Sequence, residues 1–107
     1  MYYIYMLRCE DNSIYTGITT NIERRMKEHF EKDKKCAKYT FTHSAKSLEA
    51  LWKTENKSLA SKLEFNIKKL RKQEKEELIK KKDLKKYLSN KIEVEKYELI
   101  KNFTNIE

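Results

Sequence analysis

Two short runs rich in tyrosine and isoleucine, residues 2–9 and 14–18, are separated by Glu10, Asp11, Asn12 and Ser13. Polar residues between two β-prone runs at this spacing predict a β-hairpin, which constrains everything that follows it. Side chains alternate along a strand, so the loop length decides which face each residue takes. With Glu10 paired to Ile14 around a three-residue Asp11-Asn12-Ser13 loop, Cys9 stands opposite Tyr15 and Tyr5 opposite Thr19. The Tyr5 and Tyr15 phenols then share one side, whereas a two-residue Asp11-Asn12 loop sends them to opposite sides.

Thr20 with Glu23 reads as a capping box, and Ile22, Met26 and Phe30 follow at helical spacing, which predicts a helix over about 21–31. Residues 31–47 carry many lysines without a clear period and read as a basic loop; Leu48–Thr54 suits a third strand. Ser58 is placed to cap a second helix whose stripe is Leu59, Leu63, Ile67 and Leu70. The stripe resumes at Leu78 and Ile79, so a break is expected near Gln73. Past Asp83, residues Tyr87, Ile92, Val94, Tyr97, Leu99 and Ile100 fit either a strand or a packed helix.

The order β-β-α-β-α-α implies an α+β fold, a small three-stranded antiparallel sheet flanked by helices. The 107 residues fit one domain, expected over 1–85, with an extension over 86–107 docked on the same core. No proline and no flexible linker interrupts the chain.

Lys and Arg number 25 against 17 Asp and Glu, a net charge of +8, so the surface should attract polyanions, nucleic acid above all. Charge alone fits a solvated surface equally well. Cys9 and Cys36 form no CxxC pair and lie with no histidine cluster, which argues against a disulfide framework or zinc site and for a reducing, cytoplasmic setting. The apolar start is too short for a signal peptide, and no segment approaches the length that spans a bilayer.

Several polar residues sit where a site could form. Gly17, the only glycine, stands at the passage from strand to helix, where backbone can approach a ligand or neighbouring element closely. Arg25 and His29 share one edge of the first helix's apolar stripe, while Arg24, Lys27, Glu28 and Glu31 are expected to point elsewhere. Glu64, beside Leu63 and three residues before Ile67, is a carboxylate at the margin of a buried stripe, which calls for a cation or metal as partner.

Taken together, Tyr3-Ile4-Tyr5, Tyr15-Thr16-Gly17, Arg25, His29 and Glu64 resemble the GIY-YIG nuclease superfamily, and most closely its small stand-alone bacterial members. The run LRCEDNSIYTGITTNIERRMKEH, the KYT at 38–40 and the pattern LE-x-x-IK-x-L at 63–70 carry that likeness over residues 2 to about 82. Tyr3 replaces the glycine of the first motif, and Glu76 stands where many relatives have asparagine. Relatives of this type include the UvrC incision subunit, with its role in DNA repair, and homing endonucleases.

The resemblance implies an endonuclease that hydrolyses phosphodiester bonds in DNA. Tyr5 or Tyr15 would be general base, Arg25 would hold the scissile phosphate, His29 would assist, and Glu64 would bind a divalent metal ion. One carboxylate suits Mg²⁺, which keeps most of its waters, with Mn²⁺ as a substitute. Lys34, Lys35, Lys38 and Lys68 are the expected nucleic-acid contacts. Without a separate recognition domain in this sequence, selectivity would come from substrate shape or a protein partner. The competing reading is a module of the same fold that binds nucleic acid without cutting it.

Overall fold

The computed structural model describes residues 1–32 and 37–103, which form an α+β domain. Its strands are β1 (Tyr2–Cys9), β2 (Ile14–Thr19), β3 (Ala45–Thr54) and β4 (Glu98–Leu99); its helices are α1 (Ile22–Phe30), α2 (Lys38–His43), α3 (Lys57–Lys68), α4 (Lys72–Lys81) and α5 (Leu84–Leu88). The sheet is antiparallel in the order β2-β1-β3-β4. The expected three-stranded sheet is therefore present with a fourth, two-residue strand at its edge. Lys34, Lys35 and Cys36 lie outside the described residues, so the expected contacts of the two lysines have no structural counterpart here. Among the described residues no helix is long and apolar enough to cross a membrane.

The hairpin register differs from the expected one by two residues. Arg8 pairs with Ile14, Leu7 with Tyr15, and Tyr5 with Gly17 rather than Thr19. The loop is Glu10-Asp11-Asn12, closed by Cys9 N–H to Ser13 O at 2.9 Å and Asn12 N–H to Cys9 O at 2.9 Å. Asn12 takes the left-handed conformation, φ 71°, that a three-residue loop needs at its last position and that asparagine tolerates. A shift of two preserves the alternation, so Tyr5 and Tyr15 still share a face.

Local capping also moves by one or two residues. Asn21, not Thr20, caps α1, its side chain accepting from Arg24 N–H at 3.0 Å. Asn56, not Ser58, caps α3 by accepting from Leu59 N–H at 2.9 Å. The break between α3 and α4 falls at 69–71, ahead of Gln73. The segment read as a loop contains α2, and β3 begins at Ala45 rather than Leu48. Periodicity is a weak guide to a six-residue helix, because such a helix shows less than two turns of stripe.

Even-numbered β1 residues Ile4 and Met6, with Ala50 and Trp52 of β3, pack against Ala60, Leu63 and Ile67 of α3, Leu78 of α4 and Leu84 and Leu88 of α5. The opposite face carries Tyr5, Leu7, Leu48 and Leu51 against Ile22 and Met26 of α1. Register shifts in the β1–β3 ladder, one of them between Met6 and Leu7, let Leu48 and Leu51, three apart, face the same side. In the C-terminal segment Tyr87 falls within α5, Val94–Lys96 form a 3₁₀ turn, and Glu98–Leu99 pair with β3 as β4. It is tied down by Thr54 Oγ1–H to Lys96 O at 2.8 Å and Tyr97 O–H to Leu59 O at 2.7 Å.

Candidate active site

Tyr5, from the middle of β1, is only 1 % exposed beneath α1, and its phenol oxygen lies 2.8 Å from His29 Nε2. His29 is completely buried, with its other ring nitrogen, Nδ1, 2.6 Å from Thr40 Oγ1 of α2. The direction of this chain follows from proton counting. Thr40 has one hydroxyl proton and gives it to Ala37 O at 3.1 Å, so its oxygen accepts from His29 Nδ1–H. A neutral imidazole then presents a bare Nε2, and Tyr5 O–H donates to it.

The electrostatics agree with that assignment. Burial, and then the Arg25 guanidinium, lower the His29 pKa to about 4, so the ring is neutral near pH 7. Burial first, and the neighbouring Tyr15 second, push the Tyr5 phenol above its ordinary value. His29 is therefore a base buried neutral, and its folded pKa lies below the roughly 6.5 of an unfolded chain. Its contribution to stability is complete above pH ~6.5 and lost as pH falls toward 4, about 3 kcal/mol in all. Urea midpoints at pH 7 and pH 4.5 should show this loss, and His29→Gln should remove that part of the pH dependence. An identical pH dependence in the variant would mean that His29 is not buried neutral.

Arg25, one turn before His29, reaches the same phenol through Nε–H at 3.4 Å and donates from Nη1 to Glu28 Oε1 at 2.8 Å. Glu28, expected to point away, is instead turned inward with its side chain 12 % exposed. The i, i+3 spacing brings it beside the arginine, an arrangement that a stripe of apolar residues does not reveal. Arg25 is thereby held in place from two sides.

Tyr15, on β2, is half-buried and completes the group. Its ring centroid is 6.2 Å from that of Tyr5 and 5.5 Å from that of His29. The sole glycine makes this convergence possible. Gly17 lies opposite Tyr5, and a Cβ at that position would stand 2.4 Å from the Tyr5 hydroxyl, 2.6 Å from its Cζ and 3.0 Å from Tyr15 Cε2. Gly17 has no positive φ, so it serves space within β2 and not a turn.

Glu64, on α3, has its side chain 23 % exposed and pairs with Lys68 at 3.3 Å. Its charge acts on the Tyr5 phenol, which places it in the same electrostatic neighbourhood. Lys68 in turn stands 5.8 Å over the Tyr15 ring. Lys38 is exposed at the start of α2. No group of three or more acidic, histidine or cysteine residues is poised for a metal among the described residues. Glu64 offers a hard oxygen donor of the kind a hydrated Mg²⁺ accepts.

Glu76 belongs elsewhere. Arg8 grips it from two nitrogens at 2.6 and 2.5 Å, so that β1 and α4 are clamped on the side of the sheet away from Tyr5. Sequence reasoning missed Thr40 and Glu28 as site members, although Thr40 ends the KYT motif that carried part of the resemblance.

The GIY-YIG catalytic domain model matches residues 1–87. The UPF0213 protein of Fusobacterium nucleatum is 45% identical over 82 residues, covering 77% of this chain and 80% of that protein. A UPF0213 protein of Clostridium perfringens is 42% identical over 86 residues, 79% of this chain and 89% of that protein. The solution NMR structure of the UPF0213 protein BH0048 from Bacillus halodurans superposes with a TM-score of 0.50 at 38% identity, covering 77% of this chain and 86% of that one.

Proposed function

Because the chain belongs to the GIY-YIG catalytic domain family, we propose that it is an endonuclease that hydrolyses phosphodiester bonds in DNA, and that Tyr15 is its general base. The observation that carries the choice of base is the burial of Tyr5, 1 % exposed and donating its own proton to His29. A phenol so engaged holds geometry; it does not take a proton from water. Tyr15 is half-buried and has the Lys68 ammonium beside its ring.

In this reading a water attacks the phosphorus and gives its proton to the Tyr15 oxygen. Arg25, braced by Glu28 and Tyr5, offers its forked donors to the non-bridging phosphate oxygens. Tyr5, His29, Thr40 and the Ala37 carbonyl form a chain of directed hydrogen bonds that fixes the floor under the arginine. Glu64 would hold the divalent ion, Mg²⁺ or Mn²⁺, whose chemistry is to neutralise charge developing on the leaving oxygen. Lys38 and Lys68 would contact the backbone on either side.

The test is cleavage of nicked, flapped and branched DNA, with single-stranded RNA alongside, in Mg²⁺ and in Mn²⁺. Tyr15→Phe should lose about 100-fold or more in single-turnover rate, and Tyr5→Phe should lose less, because only the former removes the proton acceptor. A wild-type protein that cuts none of these substrates would leave the binding module as the better reading. A larger loss in Tyr5→Phe would reverse the assignment of the base.

A further inference from the structure

Three rings pack in succession beside the candidate site. Tyr15 stacks on Tyr39 of α2 with centroids 5.7 Å apart and planes at 25°, and Tyr39 stacks on His43 at 4.0 Å and 13°. Tyr39 and His43 are four residues apart, one helical turn, so α2 presents both rings on one side. The hairpin loop fixes the last ring: His43 Nδ1 lies 2.5 Å from Asp11 Oδ2. With one face on Tyr39 and one edge held by Asp11, the side chain is still 37 % exposed.

Cations stand at both ends. Lys68 lies over Tyr15, and Lys72 donates through Nζ to Asn12 O, next to the aspartate that orients His43. Each of these lysines also pairs with a glutamate, Lys68 with Glu64 and Lys72 with Glu76. An aromatic stack flanked by positive charge on a chain of net charge +8 is what a strand with unpaired bases requires: the cations meet its phosphates and the ring continues its stacking.

We propose that the outer face of His43 is a stacking platform for an unpaired nucleobase, at the end of a Tyr15–Tyr39–His43 column that leads back to the candidate active site. The inference rests on the nuclease reading for the choice of a nucleic-acid occupant. It adds that the substrate carries a single-stranded or splayed-out nucleotide near the cut.

Base stacking is separable from phosphate attraction by comparing a short oligothymidylate with an abasic strand of equal length and charge. Binding is measured in EDTA, so cleavage plays no part. Wild type should prefer the base-bearing strand by about five- to tenfold or more. His43→Ala should remove most of that ratio, and the Asp11→Asn/His43→Ala double variant, which also removes the loop carboxylate and so shifts the affinity for both strands alike, should do the same. His43→Trp, a wider platform, should raise it.

Equal affinity of wild type for base-bearing and abasic strands overturns the proposal, as does an unchanged ratio in His43→Ala. Should His43→Ala fail to fold, the wild-type ratio and His43→Trp still decide it. A base preference without any cleavage would leave the platform standing and remove the nuclease reading alone.

Discussion

Glu64→Gln is expected to lower cleavage by about three orders of magnitude or more while binding in the absence of metal stays equal or tightens. The substitution keeps the side chain's shape and removes the charge that would hold the ion. It also removes a carboxylate from the approach of a polyanion and frees Lys68, its partner at 3.3 Å. Binding and cutting therefore come apart in opposite directions, which a general loss of folding cannot imitate. Single-turnover cleavage in Mg²⁺ and Mn²⁺, with binding titrations in EDTA, measures both. An unchanged rate would remove Glu64 from the chemistry, and a parallel loss of binding would mark it as structural.

Gly17→Ala is expected to cost about 100-fold or more in cleavage rate, because a displacement of reacting groups by about 1 Å has that effect. The new methyl would stand 2.4 Å from the Tyr5 hydroxyl and 3.0 Å from Tyr15 Cε2, so Tyr5 must shift and Tyr15 must give by a few tenths of an ångström. Tyr5 cannot yield freely, since its oxygen is held by His29 and Arg25 beneath the buried face of α1. Overpacking of this kind also lowers stability by about 1–3 kcal/mol. Denaturant midpoints and cleavage rates on the same preparations separate the two losses. Wild-type rate and stability in Gly17→Ala would show that the close approach imposes nothing on the site.

Burial of His29 explains why its part in the site is indirect. Both ring nitrogens are occupied within the protein, by Tyr5 and Thr40, and no solvent reaches the ring. In the proposed site its influence would pass through the orientation of Tyr5 and so through Arg25. The same logic makes Thr40 the residue that sets the tautomer, since its single proton goes to Ala37 O. A role of this kind has no signature in spacing. It depends on which carbonyl lies within reach of a hydroxyl once α2 has formed.

What the amino-acid sequence determined by itself was the order of most elements and the edge of α1 that carries Arg25 and His29; the shared face of Tyr5 and Tyr15 depended on an odd hairpin loop, which the fold supplies. Those features follow from short-range periodicity: alternation along a strand and the three- and four-residue spacing of a helix. A two-residue shift of the hairpin left the alternation intact for the same reason. Tertiary structure alone decided what lies between elements distant in sequence. It set Gly17 against Tyr5 across the hairpin, brought Thr40 of α2 to His29 of α1, and clamped Glu76 to Arg8 on the opposite side of the sheet. It also decided the fate of the C-terminal segment, whose apolar residues suit a helix or a strand until the free edge of β3 is available to pair with Glu98 and Leu99. Each of these contacts joins residues whose meeting depends on how whole elements pack, and packing is a property of the complete core that local patterns do not encode.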